Sequence, residues 1–500
     1  MSDSSDTGSN RSETQQIERL STGIPGLDEI LRGGLIPNRS YLVRGEPGTG
    51  KTILGLHYLT HGAAEGDTSL FINLEEATAD IEQNAAALGF DVSDIEFLDL
   101  SPESDFFAGD QSYDIFESSE VERDPMIERI TDRVSDLDPD RVFVDPITQL
   151  RYLSTDQYQF RKQALSFMRL LSEQGATVLF TTQATEDAPD DDLQFMSDGM
   201  IELGYASTGR SIRVPKFRGS ATMDGDHALD ITDNGLVIYP ELTPGDYDQE
   251  FVEEPISSGV PEMDELLNGG LDRGTVTVIS GPTGVGKTTT GTQFMKEAAG
   301  RGERSVIYLF EESEATFIQR SAAVNIPVDQ MRERGTLNVE EIEPLATSPQ
   351  EFAQMVRREV EEKDTGIVMI DGIVGYKLAL QGDENELVSH LHALNRYLKN
   401  MGVTVVLVEE VSSITGEFQA TDVGINYLAD NIVFLRHLEL QGEMRKVIGV
   451  LKMRTSDFER TLREFKITEH GITVGEPLTQ LRGILSGTPE WTETPASTER

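Results

Sequence analysis

Short runs that are apolar along most of their length alternate with longer stretches suited to helices. Tyr41-Leu42-Val43, Ser69–Asn73, Val142–Asp145 and Val178–Thr181 form one series, and Val276–Ile279, Val306–Phe310, Ile367–Asp371 and Val405–Val408 form a second. Runs of this length and composition predict buried strands, and the segments between them are long enough for helical crossovers, so an α/β chain with open sheets is expected. The two series are copies. Glu18–Leu35 (ERLSTGIPGLDEILRGGL) returns as Glu254–Leu271 (EPISSGVPEMDELLNGGL), 236 residues later without a gap. Gly23, Pro25, Asp28, Gly33 and Gly34 recur as Gly259, Pro261, Asp264, Gly269 and Gly270, where turn chemistry is their expected role. A repeat of this length is a duplicated domain, since solenoid periods are several-fold shorter.

The same spacing of 236 separates two complete GxxxxGK[ST] runs, GEPGTGKT at 45–52 and GPTGVGKT at 281–288. Each follows a β-prone run and leads into a predicted helix, the context in which such a loop wraps its backbone N–H groups around phosphate oxygens. Gly45, Gly48, Thr49, Gly50, Lys51 and Thr52, and likewise Gly281, Thr283, Gly284, Val285, Gly286, Lys287 and Thr288, are therefore candidate nucleotide contacts. The lysines would meet the β/γ-phosphates, and the Thr52 and Thr288 hydroxyls would ligate Mg²⁺.

Three further features recur in both halves. Glu75-Glu76 and Glu311-Glu312 each close an apolar run, again 236 apart. In so acidic a chain a Glu-Glu pair is most often a solvated face; at the carboxyl end of a strand expected to neighbour the P-loop strand, the pairs become candidate water-activating bases. Asp145 and Asp371 end buried-strand runs, and such a carboxylate behind a P-loop holds a Mg²⁺ water. Finally Lys216-Phe217-Arg218 recurs as Lys452-Met453-Arg454. On a strand, residues two apart share a face, so both cations would point together and suit a γ-phosphate, supplied across a subunit boundary as a finger in trans. Gln183 and Glu410, near the ends of two further strands, are either γ-phosphate sensors or turn residues.

Composition narrows the functional classes. The 500 residues suit two or three domains. A formal charge of −46, spread along the chain, disfavours nucleic acid and anionic lipid as partners and suggests a surface adapted to a salt-rich cytoplasm. Only 11 lysines are present, and residues 1–240 hold just Lys51, Lys162 and Lys216, so the recurrence of lysine in Lys-x-Arg asks for a functional reason. There is no cysteine, which excludes disulfides and thiolate metal sites. No apolar run approaches the ~20 residues of a membrane span, and residues 1–16 read as a polar tail without a secretion signal, so a soluble cytoplasmic protein is expected. The expected organisation is a tail (1–16), a first domain (17–240), an acidic linker (241–254), a second domain (255–485) and a tail (486–500) that carries Trp491. The acidic stretch 98–124 accounts for extra length in the first half and need carry no function.

Tandem halves, each with an STGIPGLDE-like start, GxxxxGKT, Glu-Glu, an Asp-ended strand and Lys-x-Arg, resemble the KaiC family of RecA-like ATPases over residues 17 to 486. The resemblance implies two RecA-like P-loop domains, each a mostly parallel twisted sheet flanked by helices, in a double-ring homo-hexamer with ATP and Mg²⁺ at subunit boundaries. It also implies catalytic roles for Glu75, Glu76, Glu311 and Glu312, with Lys216, Arg218, Lys452 and Arg454 reaching a neighbour's site. Asn426 and Tyr427 stand where the family's oscillators carry an autophosphorylated Ser-Thr pair, so phosphorylation there is not expected, while Thr421, Ser412 and Ser413 offer alternative hydroxyls. The function implied is an ATPase working as a signalling or timing switch through an unidentified protein partner. The alternative is a DNA-handling ATPase of the RecA or ring-helicase kind. Against it, the stretches after Asp145 and Asp371 offer little more than Arg151 and Lys377 as cations.

The charge generates one prediction. At ~10 mM salt the screening length is about 30 Å against about 3 Å at ~1 M, so the carboxylates repel one another least in strong salt. The melting temperature is expected to climb with KCl into the molar range, and a flat or falling profile would exclude salt adaptation.

Overall fold

A computed structural model describes residues 17–104, 123–151, 157–182, 190–207, 209–252, 254–379, 384–411, 427–440, 442–485 and 490–491. The tail 1–16, most of the stretches 98–124 and 486–500, and Gln183, Ser412, Ser413, Thr421 and Asn426 lie outside these residues. The chain divides into two units, Met1–Glu241 and Leu242–Arg500.

In the first unit the strands are β1 (Ser40–Gly45), β2 (Ser69–Asn73), β3 (Ile95–Asp99), β4 (Arg141–Asp145), β5 (Thr177–Thr182), β6 (Gly199–Ala206), β7 (Gly209–Phe217), β8 (His227–Thr232) and β9 (Gly235–Tyr239). They form one sheet in the order β3-β2-β4-β5-β1-β6-β7-β8-β9. Strands β3 to β6 in that order pair in parallel, and β6 to β9 continue as an antiparallel meander. Alternate side chains enter two cores. Val43, Phe71, Phe143 and Leu179 pack on one face beneath the P-loop helix Lys51–Glu65, while Leu42, Leu70, Val142 and Phe180 pack on the other. Burial on both faces explains why these runs are apolar at nearly every position.

The second unit repeats this order. After a short antiparallel pair, β10 (Pro255–Ile256) and β11 (Leu271–Asp272), its sheet runs β14 (Leu337–Glu341), β13 (Arg304–Leu309), β15 (Thr365–Asp371), β16 (Thr404–Glu410), β12 (Val276–Gly281), β17 (Asn431–Leu440), β18 (Glu443–Lys452), β19 (Arg463–Thr468) and β20 (Gly471–Pro477). The stretch expected as a linker is not a free connection. Leu242 is buried in the second core, Tyr247 sets its ring edge-on to Tyr397 at 4.8 Å, and the Gln249 N–H donates to the Asn400 carbonyl at 2.8 Å.

The repeated turn before each P-loop strand is held by one carboxylate. Asp28 accepts from the Ser21 and Thr22 hydroxyls and the Thr22 N–H at 2.6–2.8 Å, and Asp264 does the same for Ser257 and Ser258 at 2.6–2.7 Å. The recurrent sequence there is a structural latch.

The sequence led us to expect that the strand before each Glu-Glu pair neighbours the P-loop strand. The sheet order corrects this, because β4 and β5 lie between β2 and β1, as β15 and β16 lie between β13 and β12. The glutamates nevertheless reach the loop, because the P-loop helix packs across the sheet against β4 and β2. A glycine permits that approach. A methyl group at Gly55 would fall 2.2 Å from the Phe143 ring, and one at Gly291 would fall 2.5 Å from the Met369 sulfur.

Alanine in a helix gains roughly 0.5–1 kcal/mol over glycine, whereas over-packing against a fixed ring costs about 1–3 kcal/mol. Gly55→Ala is therefore expected to lower the apparent melting temperature. Gly291→Ala is expected to be close to neutral, because an unbranched thioether swings aside more readily than a ring. Calorimetry of both variants checks this, and an unchanged or higher melting temperature for Gly55→Ala would refute the packing argument.

Candidate functional site

In the first unit the loop after β1 turns through Gly48 and Gly50, at φ +79° and +103°, a backbone that L-residues with side chains rarely adopt. The turn brings Lys51 onto its own loop, with Nζ donating to the Gly45 carbonyl at 2.8 Å and the Glu46 carbonyl at 3.0 Å. Burial pushes the lysine pKa down, while the charges of Asp145 and Glu75 oppose the shift. The Thr52 hydroxyl donates to Asp145 at 2.6 Å, and the Thr181 hydroxyl donates to the other carboxylate oxygen. Burial pushes the Asp145 carboxyl up against those hydrogen bonds. Glu76 is also pushed up, by burial first and then by the neighbouring Asp145, Glu75 and Asp80 charges. Pro47, Gly48, Gly50, Lys51, Thr52, Glu75, Glu76 and Asp145 line one cavity of about 300 Å³, closed on its apolar side by Ile53, Ile81 and Ile231. Gly45 and Thr49 complete the loop behind it, with the Thr49 hydroxyl donating to the Glu46 carbonyl at 2.8 Å.

The second site has the same plan with different partners. Gly281 ends β12, Gly284 and Gly286 take φ +70° and +114°, and Val285 is fully buried. Lys287 Nζ donates to the Pro282 carbonyl at 3.1 Å and lies 3.8 Å from Glu410, which also accepts from the Thr283 hydroxyl at 2.5 Å. Burial lowers the Lys287 pKa. Burial pushes Asp371 up to about 6, against a hydrogen bond from Thr288 and the charge of Arg320, while Glu312 and Glu311 add to the rise. Arg320 itself donates to Glu312 at 2.6 Å.

Arg320 is the residue that sequence reasoning missed. It lies on the helix Glu314–Ala322, eight positions after Glu312 and outside every motif, and the matching position of the first half holds Asn84. Only an explicit comparison of the two helices would have singled it out.

Each hydroxyl and carboxylate pair, Thr52 with Asp145 and Thr288 with Asp371, presents hard oxygen donors beside the phosphate loop. Among the described residues no cluster of three or more His, Cys, Asp or Glu is arranged to hold a metal ion. The hydroxyl and carboxylate of each pair fit Mg²⁺, which keeps several waters and binds through one or two protein oxygens together with substrate phosphates.

The Lys-x-Arg cations are elsewhere. Lys216 pairs through Met200 with the level of Leu42, and Lys452 through Ile432 with the level of Val278, three residues short of Gly45 and Gly281. At ~3.3 Å per residue that is about 10 Å from the loop end of the sheet, and Arg218 and Arg454 lie further away still. The strands end at Phe217 and Lys452, so strand alternation does not orient the arginines as the sequence suggested. The pairs still converge. Lys216 donates to the Gln194 and Ser197 carbonyls at 2.6 Å, and Arg218 lies 3.5 Å from Asp198. Lys452 donates to the Ala429 carbonyl, and Arg454 lies 3.4 Å from Asp430.

Comparison with known proteins agrees with this geometry. A family model described as "ATPase: KaiC" matches residues 20–243 and again 256–479. The chain is 29% identical to circadian clock protein KaiC3 of Synechocystis sp. over 495 residues, 96% of each chain. It is 28% identical to circadian clock oscillator protein KaiC of Synechococcus elongatus over 495 residues, 96% of this chain and 93% of that one. With two matching domains, two P-loop sites of one plan and a KaiC-like relation along nearly its whole length, the chain belongs to the KaiC family of ATPases.

Proposed function

We propose that both halves bind ATP with Mg²⁺ and hydrolyse it, and that copies of the chain assemble into a ring, a homo-hexamer, that acts as a signalling or timing switch on a protein partner. The observation that carries this reading is the pair of completed loops, each with its lysine folded onto loop carbonyls and its threonine hydroxyl on a buried aspartate. The KaiC relatives named for circadian clocks favour a switch over DNA handling.

In this reading Lys51 and Lys287 exchange their loop carbonyls for β/γ-phosphate oxygens, and the loop N–H groups hold the remaining oxygens. Mg²⁺, held by Thr52 and Thr288 with Asp145 and Asp371 behind them, would neutralise phosphate charge. The carboxylates then orient the nucleophile. A water oxygen bonds to the γ-phosphorus as the bond to the bridging oxygen of ADP breaks, and the water's proton passes to a carboxylate of the Glu75–Glu76 or Glu311–Glu312 pair. Glu76, pushed up by burial and like charge, is suited to hold a proton. With Glu312 engaged by Arg320, Glu311 is the freer acceptor in the second half. Lys216 with Arg218, and Lys452 with Arg454, serve a neighbouring copy, because they stand too far along the sheet to serve their own loop.

Lys51→Ala and Lys287→Ala are each expected to remove one bound nucleotide per chain, and the double variant both, when nucleotide is counted in purified protein. Full occupancy in both single variants would reject the assignment.

A further inference from the structure

Two charged residues set the second phosphate site apart from the first. Pairing with the P-loop strand places Thr182 level with Arg44 and Glu409 level with Ser280, so the residues that follow, Gln183 and Glu410, are counterparts in sequence, as Asn84 and Arg320 are. Two neutral amides have become one acid and one cation. Glu410 stands 3.8 Å from Lys287, so a phosphate entering the second loop meets a carboxylate where the first half has an amide. Arg320 supplies the opposite charge. It lies three positions after Phe317 on the helix Glu314–Ala322, and the counterpart of Phe317 is Ile81, which lines the first phosphate cavity. Helix positions three apart share a face and helical side chains lean toward the helix N-terminus, so the guanidinium is carried back toward the glutamate pair. There its Nη2 donates to Glu312 at 2.6 Å. Burial pushes Asp371 up to about 6 and pushes Lys287 down, and the Arg320 charge opposes the first shift and adds to the second, so its field spans the pocket. The Arg320 Nε is buried and donates to no acceptor among the described residues. A buried donor without an acceptor is costly, and beside a phosphate pocket it has an evident class of ligand. In the first half Asn84 is exposed, and Glu76, the counterpart of Glu312, has the like charges of Asp145, Glu75 and Asp80 about it.

We propose that Arg320 is a specificity-determining cation of the second site, a contact from within the same chain for the terminal phosphate of a nucleoside triphosphate, and that it makes this site favour triphosphate over diphosphate more strongly than the first site does. The proposal rests on the ATP reading above for what fills the pocket. A guanidinium presents a planar fork of five N–H donors, so Arg320 can keep Glu312 with one and give another to a phosphate oxygen. The glutamate pair marks the end of the pocket where the attacking water, and hence the terminal phosphate, lies in that reading. The diphosphate has no group there and gains little from Arg320. The loop N–H groups, by contrast, cradle the α/β-phosphates that both nucleotides carry.

The test uses the full chain with Lys51→Ala, which leaves only the second loop to bind. Equilibrium dialysis measures Kd for Mg-ADP and for the magnesium complex of adenylyl imidodiphosphate, a slowly hydrolysed triphosphate. Adding Arg320→Asn, the residue of the first half, is expected to weaken the triphosphate analogue by about tenfold, the order of one charge-assisted hydrogen bond, and ADP by less than about twofold. Arg320→Lys, which keeps the charge and loses the fork, is expected to fall between. The reciprocal change, Asn84→Arg in a Lys287→Ala chain, is expected to raise the first site's preference for the triphosphate. Should Arg320→Asn fail to fold, the lysine variant and the reciprocal change still decide the matter. Equal weakening of both nucleotides, which a merely structural arginine would give, or no weakening of either, overturns the proposal and leaves the ATP reading standing, and so does an Asn84→Arg chain whose preference does not move. A Lys51→Ala chain that binds neither nucleotide rejects the ATP reading of the second site and this proposal with it.

Discussion

The close approach of each P-loop helix to the strand that ends in aspartate is the contact on which both sites depend. The phosphate loop leaves the sheet at β1, yet Asp145 comes from β4, with β5 between them. The distance is closed because Gly55 lets the helix settle onto Phe143, and Thr52, one turn earlier, then meets Asp145 at 2.6 Å. Gly291 and Met369 repeat the arrangement behind Thr288 and Asp371. Burial at that junction raises both aspartates. Each site therefore holds one desolvated aspartate where a cation and phosphates would relieve the cost.

Much of this was legible in the sequence because its signals are local. A P-loop is a contiguous run whose glycines are required by its own backbone, and the buried strands announce themselves by being apolar on both faces, as Phe71 and Ile72 are in opposite cores. Strand order was not legible. It depends on which way each crossover turns, so Glu75-Glu76 was assigned to a strand beside β1, whereas two strands, β4 and β5, stand between them. Residues 242–252 misled in a different way. Their acidity and Pro244 resemble a linker, but Leu242 and Tyr247 fasten them to the second core.

The two halves have diverged in their charges more than in their backbones. The first site carries Lys51 among Glu75, Glu76 and Asp145, and the second adds Arg320 on Glu312 and Glu410 beside Lys287. Arg320 has no motif around it and Glu410 stands at a strand end, so side-chain placement is what shows which groups they engage. Arg320 alters which glutamate of its pair is engaged.

In the proposed ring each site is completed by a second chain, since Lys452 and Arg454 stand about 10 Å or more along the sheet from their own loop. The direct measurement mixes two inactive chains, one carrying Arg454→Ala and the other Glu311→Gln with Glu312→Gln, both with the first site silenced by Glu75→Gln and Glu76→Gln. ATP hydrolysis should return in the mixture, because some boundaries then pair intact glutamates with an intact arginine. Mixed assemblies that form fully and stay as inactive as either chain alone would contradict the account.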